Sequence, residues 1–325
     1  MPGTFCETRA YPTIGIILLG GISNNTRRFP LHDSAGVAYM LDDGSGGFVT
    51  TRMFSSHIWQ GFVNGKEVNA MDTRSPFKVI KKYRDSMLAS VKDPADTAFS
   101  FYSENTGILS GSSDAAAASF GRCIEEFSRG ELDESVLEDD LRGISESVGR
   151  SLKGGLTATF AVNGRIITEN LAPASAFSDF RIVGCNFSAN RNPSDIIHSN
   201  IVRSERYADR IRTAGERVAS VRMLAQEHRY SDIFELAQKD TEDYHNLIES
   251  VGVRVINHEM RSFIDYLKTI RDRTWCSYIV TGGTNVFAVV NHEDTDKITE
   301  LSERFGFTPY ILKIAGAPVT LQKNF

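Results

Sequence analysis

Small hydroxyl and glycine residues are concentrated in SENTGILSGSSDAAAAS, residues 103–119, between a predicted strand and an alanine-rich predicted helix. The first backbone N–H groups of a helix attract anions, because they have no partner within the helix and the helix dipole is positive there. The segment is not a Walker A loop, since no Gly-Lys-Ser/Thr follows it. Ser112 and Ser113 could instead only cap the helix. Spacing alone leaves phosphate binding and helix capping both open.

Composition and charge exclude several other classes of function. The chain has 325 residues and a formal net charge of −5, which argues against a general nucleic-acid binder because no excess of Lys and Arg is present to neutralise phosphates. The apolar run at 13–22 is about half of the ~20 residues that a membrane span needs, so it predicts a buried strand and no membrane partner.

Cysteine and histidine spacing gives no metal site. The cysteines Cys6, Cys123, Cys185 and Cys276 are scattered without a CxxC pair, which indicates free thiols in a reducing cytoplasm. The seven histidines form no HExxH or HxxxH pair, so a histidine-based metal centre is not expected and the metal ligands stay unknown.

The elements that must position the Gly/Ser segment follow from hydrophobic periodicity and turn residues. Asn64 and Gly65 predict a hairpin turn, and Asp133 is a predicted N-cap. Strands and helices occur in groups without strict alternation, which predicts an α+β fold of two lobes. The main predicted elements are strands over 10–22 and 35–62, helices over 75–92, 113–128 and 133–150, and a largely helical stretch over 194–272.

Five blocks of the sequence, in this order, resemble the GHMP kinase superfamily. They resemble its diphosphomevalonate decarboxylase branch more closely, and within that branch the archaeal mevalonate 3-kinase group. The resemblance runs from Ala10 to the final strand. The blocks are AYPTIGIILLGG from residue 10, SGSSDAAAAS from 110, SESVGRSLKGG from 145, NRNPSD from 190 and YIVTGGTNVF from 278.

This resemblance implies the GHMP kinase fold, with an N-terminal ribosomal S5-like lobe over 1–187 and a C-terminal ferredoxin-like lobe over 188–325. It implies ATP and Mg2+ in a cleft between the lobes, a homodimer, and a place in the mevalonate pathway of isoprenoid biosynthesis. The Gly/Ser loop of the family wraps the ATP phosphates. The ATP-binding residues implied here are Asn105, Ser110, Gly111, Ser112 and Ser113.

Three departures from the decarboxylase pattern bear on the reaction. Thr281 stands where the decarboxylases have an acid, and it is a poor base. Phosphoryl transfer tolerates this loss, because its transition state is loose and is stabilised mainly by positioning and charge neutralisation. Leu18 replaces a lysine and Glu146 replaces a glycine, so the pocket becomes more negative and disfavours a diphosphate. The expected reaction is therefore phosphorylation of the C3 hydroxyl of (R)-mevalonate, ending at 3-phosphomevalonate.

The remaining site residues are also carried over from the resemblance. Arg191 matches an arginine that pairs with the substrate carboxylate, and a planar guanidinium suits that role. Asp114 is either a first-turn acid, which is the favoured interpretation, or a Mg2+ partner, and His198 is expected to be packed or solvated. The implied catalytic residues are Ser113, Arg191 and Thr281; the implied substrate-binding residues are Leu18, Leu19, Glu146, Ser151, Arg191 and Thr281.

Two other functions remain open at this point. The first keeps the scaffold but decarboxylates a phosphorylated mevalonate. The second is a metabolite-binding protein without turnover, to which the missing acid gives some support. Release of CO2 would identify the first, and binding of ATP without formation of ADP would identify the second.

Overall fold

Strands and helices follow one another in groups along the chain, as the predicted α+β class requires. A computed structural model describes residues 4–24, 26–92, 94–187 and 193–325. The strands are β1 (Phe5–Ala10), β2 (Thr13–Ile17), β3 (Ser34–Leu41), β4 (Phe48–Ser56), β5 (Gly61–Val63), β6 (Lys66–Glu67), β7 (Ala98–Thr106), β8 (Leu156–Val162), β9 (Arg165–Ala172), β10 (Phe180–Asn186), β11 (Cys276–Val280), β12 (Asn285–Asn291), β13 (Pro309–Ile314) and β14 (Val319–Asn324). The α-helices are α1 (Phe77–Lys82), α2 (Arg84–Met87), α3 (Ser112–Phe127), α4 (Glu134–Leu141), α5 (Val148–Lys153), α6 (Ser194–Ile201), α7 (Tyr207–Gln226), α8 (Tyr230–Ser250), α9 (His258–Ile270) and α10 (Thr295–Arg304).

Two sheets carry these strands. A six-stranded sheet has the order β14-β1-β4-β7-β5-β6, and α3 packs against its strands β1 and β4. An eight-stranded sheet has the order β11-β12-β10-β13-β3-β8-β9, with β2 paired to β3. The helix α8 packs against β2 and β11. The second sheet therefore combines strands from both ends of the chain.

Local turn and cap signals agree with the structure. Asn64 and Gly65 both have positive φ between β5 and β6, which is the conformation of a two-residue hairpin turn. Asp133 accepts hydrogen bonds from the backbone N–H groups of Ser135 and Val136 at the start of α4. Both predictions are confirmed. They could be made from the sequence because each depends only on neighbouring residues.

The predicted helix over 133–150 is wrong in one respect. The structure ends α4 at Leu141 and begins α5 at Val148, so six residues between them are not helical. The buried side chain of Arg142 donates to the carbonyl oxygen of Glu146 at 3.1 Å, which stabilises the non-helical backbone of this segment. Gly143 lies close to the carbonyl oxygen of Thr26, where a Cβ atom would come within 3.1 Å. The break results from tertiary contacts that periodicity does not contain.

The strand β2 is buried along its whole length, as its apolar run predicts. Ile14, Ile16 and Ile17 are fully buried in the core of the eight-stranded sheet, and burial of each such side chain contributes about 1.5–3 kcal/mol. None of the helices in the described part of the chain has the length and apolarity of a membrane span. The lobe boundary between 187 and 188 stays a prediction, because residues 188–192 lie outside the described residues.

A buried carboxylate holds the backbone just after β2. Asp240 of α8 is fully buried and accepts the N–H of Leu18 at 2.7 Å. Two arginines of α7 neutralise this carboxylate, with Arg210 at 2.6 Å and Arg217 at 2.7 Å. Arg210 also donates to the carbonyl oxygen of Leu18. The Asp240 network therefore ties α7 and α8 to the predicted site residue Leu18.

Replacement of Asp240 by Ala should reduce the free energy of unfolding by about 3–5 kcal/mol, because two buried guanidinium groups lose their counter-charge. Asp243→Ala is the matched control. It removes a half-exposed partner of the same Arg217 and should cost at most about 1 kcal/mol. Urea denaturation of both variants measures the difference. Equal losses would show that burial of the Asp240 network does not matter.

Candidate active site

A cavity of about 150 Å³ lies where the end of β2, the start of α3, the segment before α5, α6 and the turn after β11 meet. We call it the central cavity. Its walls contain most of the predicted site residues. The predicted residues that line it are Leu18, Leu19, Ser110, Gly111, Ser113, Glu146 and Thr281.

The helix α3 begins at the central cavity without a side-chain cap. Its N-cap residue is Gly111, which has φ of 76° and no side chain to offer. A Cβ atom at Gly111 would come within 2.5 Å of the carbonyl oxygen of Thr13, so the loop lies directly on β2. Neither Ser112 nor Ser113 caps the helix through its side chain. The uncapped end of α3 favours anion binding over the helix-capping alternative.

A buried tyrosine holds the loop before α3 in place. The hydroxyl of Tyr39 accepts the N–H groups of Ser110 at 2.9 Å and Leu109 at 3.2 Å, and it donates to the carbonyl oxygen of Ser110 at 2.7 Å. The Ser110 hydroxyl lies 3.2 Å from that of Thr281. The loop is thus fixed both to β3 and to the turn after β11. In the sequence, Tyr39 is indistinguishable from a core residue of an apolar strand.

Asp114 lies in the first turn of α3, where it is buried and hydrogen-bonded and also lines the central cavity. Its carboxylate accepts hydrogen bonds from the hydroxyls of Thr13 and Ser145. Burial raises the pKa of Asp114, although these two hydrogen bonds and the charge of Arg150 oppose the shift. The hydroxyl of Ser113 lies 3.0 Å from that of Ser145. Asp114 therefore joins β2, α3 and the segment after α4 at the wall of the central cavity.

Glu146 is buried, and an arginine from a distant loop neutralises it. Arg28 donates to the carboxylate oxygen Oε2 through Nε at 2.9 Å and Nη2 at 2.7 Å. His198 Nε2 lies 3.1 Å from the other oxygen, Oε1. The His198 Nδ1 atom accepts the N–H of Gly21 at 3.1 Å, so the ring hydrogen is on Nε2, which faces Glu146. All three contacts stabilise the ionised carboxylate.

The charge state of Glu146 follows from this balance. Burial alone would raise its pKa, but the hydrogen bond from His198 and the charges of Arg28 and Arg74 hold the pKa well below its usual range. A carboxylate offers about four lone-pair positions. Arg28 and His198 occupy three of them among the described residues. The fourth position, on Oε1, has no donor among the described residues, and Glu146 lines the central cavity.

The contacts of Glu146 with Arg28 and His198 were not predicted from the sequence. Glu146 was expected to add a negative charge to the pocket, but Arg28 compensates that charge. His198 was expected to be packed or solvated; it is buried, but it lines the cavity and donates to Glu146. Arg28 itself is fully buried with a left-handed φ of 54°, and it also contacts Asp195 at 2.7 Å. The sequence does not single out Arg28 as the partner of Glu146. It allows only the general expectation that a carboxylate, if buried, is paired with a cation.

Arg150 lines the same cavity, and its guanidinium is buried. It is 4 % exposed, and its Nε and Nη2 atoms have no hydrogen-bond partner within the described part of the chain. Burial lowers the pKa of Arg150, while the charges of Asp114 and Glu146 act in the opposite direction. A buried guanidinium with free N–H groups fits a carboxylate or a phosphate. Arg150 is therefore a candidate for an anion contact.

The other predicted residues lie elsewhere. The Ser151 hydroxyl donates to the carbonyl oxygen of Tyr11 at 2.6 Å, and this side chain is not among those that line the central cavity. Asn105 is exposed near the end of β7, and Ser112 is the first residue of α3; neither lines the cavity. Arg191 lies outside the described residues, so its contact with substrate stays a prediction.

Comparisons with known proteins place both halves of the chain in one family. Residues 10–164 match the family model described as diphosphomevalonate decarboxylase-like N-terminal domain. Residues 192–296 match the mevalonate-3-kinase C-terminal domain. The mevalonate-3-kinase of Picrophilus torridus is 41 % identical over 319 residues, 98 % of each chain. The mevalonate 3-kinase of Thermoplasma acidophilum is 44 % identical over 310 residues, 94 % of this chain and 95 % of that protein.

Solved structures agree with these matches. The crystal structure of the Thermoplasma acidophilum mevalonate-3-kinase with mevalonate 3-phosphate and ADP bound superposes with a TM-score of 0.93, at 40 % identity over 99 % of this chain and 100 % of that one. Mevalonate diphosphate decarboxylase from Staphylococcus aureus has a TM-score of 0.80 at 18 % identity, over 98 % of each chain. The second likeness establishes the GHMP fold alone.

The lowered pKa of Glu146 predicts a pH-dependent contribution to stability. Glu146→Gln should reduce the free energy of unfolding by about 3 kcal/mol at neutral pH, because the buried Arg28 loses its counter-charge. The ionised carboxylate stabilises the folded state fully above its ordinary pKa of 4.5. That contribution is lost as the pH falls from there towards the lowered pKa of the folded state.

Urea denaturation of the wild type and Glu146→Gln between pH 7 and pH 3 tests this prediction. The stability difference should be constant down to about pH 5 and shrink below pH 4.5. Glu104→Gln, at an exposed position of β7, is the control and should show no such trend. A difference that grows on acidification would mean that Glu146 is not held in its ionised form.

Proposed function

The chain belongs to the mevalonate 3-kinase family, and we propose that it transfers the γ-phosphoryl group of ATP to the C3 hydroxyl of (R)-mevalonate. The products are 3-phosphomevalonate, ADP and a proton, and no CO2 is released. One observation carries the proposal: the uncapped start of α3 and the carboxylate of Glu146 face the same cavity. The first suits a phosphate and the second suits a hydroxyl group.

The phosphate donor is bound at the loop before α3. The backbone N–H groups at Ser112 and Ser113 and the positive end of the helix dipole stabilise the negative phosphate oxygens. The hydroxyls of Ser110 and Ser113 line the cavity and can donate to the same oxygens. Tyr39 fixes the loop before the nucleotide arrives, so little reorganisation is needed during transfer.

Mg2+ fits this end of the cavity as an ion that arrives with ATP. No group of three or more His, Cys, Asp or Glu side chains that could hold a metal occurs within 4–24, 26–92, 94–187 and 193–325. Asp114 and the hydroxyl of Ser113 line the cavity as hard oxygen donors, and Mg2+ commonly uses one or two carboxylates together with phosphate oxygens. When bound, the ion neutralises charge on the phosphates.

The acceptor is held by its two polar ends. Arg191, carried over from the family, and Arg150, whose side chain lines the cavity, pair with the carboxylate of mevalonate. The C5 hydroxyl donates to the remaining lone pair of Glu146. Leu18 and Leu19 cover the apolar part of the substrate. A substrate bound at both ends presents its C3 hydroxyl to the phosphate loop.

The chemistry at C3 relies on position more than on a base. Thr281 lies beside Ser110, and its hydroxyl cannot carry a negative charge at neutral pH. A loose transition state needs alignment and charge neutralisation, which Ser113, Arg191 and Thr281 supply in this proposal. The decarboxylases, which eliminate phosphate and CO2, have an acid at this position, and the neutral Thr281 cannot replace it. The reaction therefore stops at the phosphate ester.

Discrimination against substrates phosphorylated at C5 follows from the hydrogen-bonding character of Glu146. Because Arg28 balances its charge, simple repulsion by a net negative pocket is weaker than the sequence suggested. The carboxylate can only accept hydrogen bonds, however, and a phosphate ester at C5 would bring further acceptors to the same place. Unphosphorylated mevalonate is the substrate that satisfies this carboxylate.

We also propose a pathway, a compartment and an oligomeric state for the protein. It works in isoprenoid precursor synthesis, since a phosphorylated mevalonate is the product. It acts in the cytoplasm, which is supported by four cysteines that are all buried free thiols. It forms a homodimer, as the family resemblance implies.

Phosphorus NMR of the product tests the proposed function. The protein is incubated with ATP, Mg2+ and mevalonate, and the new ester signal is examined for coupling to protons. The C3 carbon carries no hydrogen, so the predicted product gives a signal without splitting by a CH2O group. An ester at C5 would give a triplet and refute the site. Release of CO2, or ATP binding without ADP formation, would support the rival functions.

A further inference from the structure

Residues 18–21, Leu-Leu-Gly-Gly, directly follow β2, and we call them the glycine loop. Leu18 and Leu19 line the central cavity. The loop belongs to no helix or strand, so its backbone polar groups need other partners. The side chains that bind them are Asp240, Arg210, Tyr244, Tyr207, His32 and His198. The shape of this wall of the central cavity therefore depends on side chains from distant parts of the chain.

His32 binds the first glycine of the loop. Its ring is buried, and Nδ1 lies 2.6 Å from the carbonyl oxygen of Asp33, which can only accept, so this nitrogen carries the hydrogen. Nε2 then presents a lone pair, which accepts the N–H of Gly20 at 3.0 Å. Burial and the charge of Arg210 lower the pKa of His32 to about 4, so the ring is neutral at pH 7 and keeps this lone pair.

His198 binds the second glycine with the opposite tautomer. Nδ1 accepts the N–H of Gly21 at 3.1 Å, and the hydrogen on Nε2 faces Oε1 of Glu146 at 3.1 Å. A doubly protonated ring would present a hydrogen to the N–H of Gly21 and lose that bond. The two nitrogen atoms of one buried ring therefore connect the glycine loop to the carboxylate of Glu146.

Both glycines of the loop are tightly enclosed. A Cβ atom at Gly20 would lie 2.5 Å from Cδ1 of Ile201, and one at Gly21 would lie 2.1 Å from the hydroxyl oxygen of Tyr207. Gly21 also has a φ of 95°, which other residues rarely adopt. Both glycines are buried, where an N–H group without an acceptor is costly. Removal of either histidine acceptor should therefore loosen the loop.

We propose that His32 and His198 are positioning residues that fix the glycine loop for binding of the acceptor substrate. The inference rests on the proposed function, in which Leu18 and Leu19 cover the apolar part of mevalonate and Glu146 accepts its C5 hydroxyl. His32 acts on the loop alone. His198 acts on the loop and on the carboxylate of Glu146, so it also contributes to recognition of the C5 hydroxyl.

The two tautomers can be observed by 1H–15N NMR of the whole protein labelled with 15N at histidine. At pH 7, His32 should show a protonated Nδ1 and an unprotonated Nε2, and His198 should show the reverse. The variants His32→Gln and His198→Asn assign the signals by removing them. A cationic ring or the opposite tautomer at either position would overturn the proposal, and this result does not depend on activity.

Steady-state kinetics test the role of His32 in substrate binding. His32→Leu provides an apolar side chain without an acceptor and should raise the KM for mevalonate about five-fold or more, with a much smaller change in kcat and in the KM for ATP. His32→Gln places an amide oxygen near the position of Nε2 and should recover most of the loss. His57→Leu, at an exposed position, is the matched control and should change neither constant. Equal effects of the Leu and Gln variants would show that His32 only fills space.

The two contacts of His198 can be separated with mevalonate and 3-hydroxy-3-methylpentanoate, which lacks the C5 oxygen. His198→Asn keeps an acceptor for Gly21 but loses the donor to Glu146, and should reduce the preference for mevalonate about five-fold. His198→Gln keeps a donor near Nε2 but loses the acceptor near Nδ1, and should raise the KM for both compounds with little change in preference.

The outcomes distinguish this inference from the proposed function. If the wild type phosphorylates mevalonate at C3 and both His198 variants keep its KM and its preference, the positioning role is wrong. A wild type that forms no ester at C3 would refute the proposed function instead, and the tautomers would still test the two hydrogen bonds to the glycine loop.

Discussion

A buried guanidinium–carboxylate pair, Arg28 with Glu146, is the contact on which the charge balance of the central cavity depends. It joins two segments 118 residues apart in the sequence. Removing a carboxylate from water costs several kcal/mol unless a cation and hydrogen bonds compensate it. Arg28 and His198 supply this compensation. In the proposed function, the hydrogen-bonding capacity that remains on Glu146 selects a hydroxyl group of the substrate.

The rest of the fold brings this carboxylate and the phosphate loop to one place. Asp240 and its arginines hold the backbone at Leu18, and Tyr39 holds the loop before α3. Both anchors are buried and lie on long elements, which favours a site formed before substrate arrives. Binding energy can then be used for orientation of the C3 hydroxyl instead of ordering the protein.

Sequence patterns predicted the features that depend on neighbouring residues. The Asp133 cap, the hairpin turn at Asn64 and the buried strand β2 are local, and the structure contains all three. The break between α4 and α5 escaped prediction because Arg142 and the approach of Gly143 to another loop produce it. Arg28, Tyr39 and His198 escaped for the same reason, since their roles arise from contacts with residues far away in the chain. The family resemblance pointed to Leu18, Glu146 and Thr281, which line the central cavity and which periodicity does not single out.

The most direct test compares the affinities of mevalonate and mevalonate 5-phosphate for the wild type and for Glu146→Gln, measured by calorimetry. If Glu146 accepts the C5 hydroxyl, the wild type should bind mevalonate about ten-fold or more tightly than the phosphate, a difference of about 1.4 kcal/mol. Glu146→Gln introduces an amide donor and should narrow this ratio, whereas Glu104→Gln should preserve it. Tighter binding of the phosphate by the wild type, or an unchanged ratio in Glu146→Gln, would contradict the account.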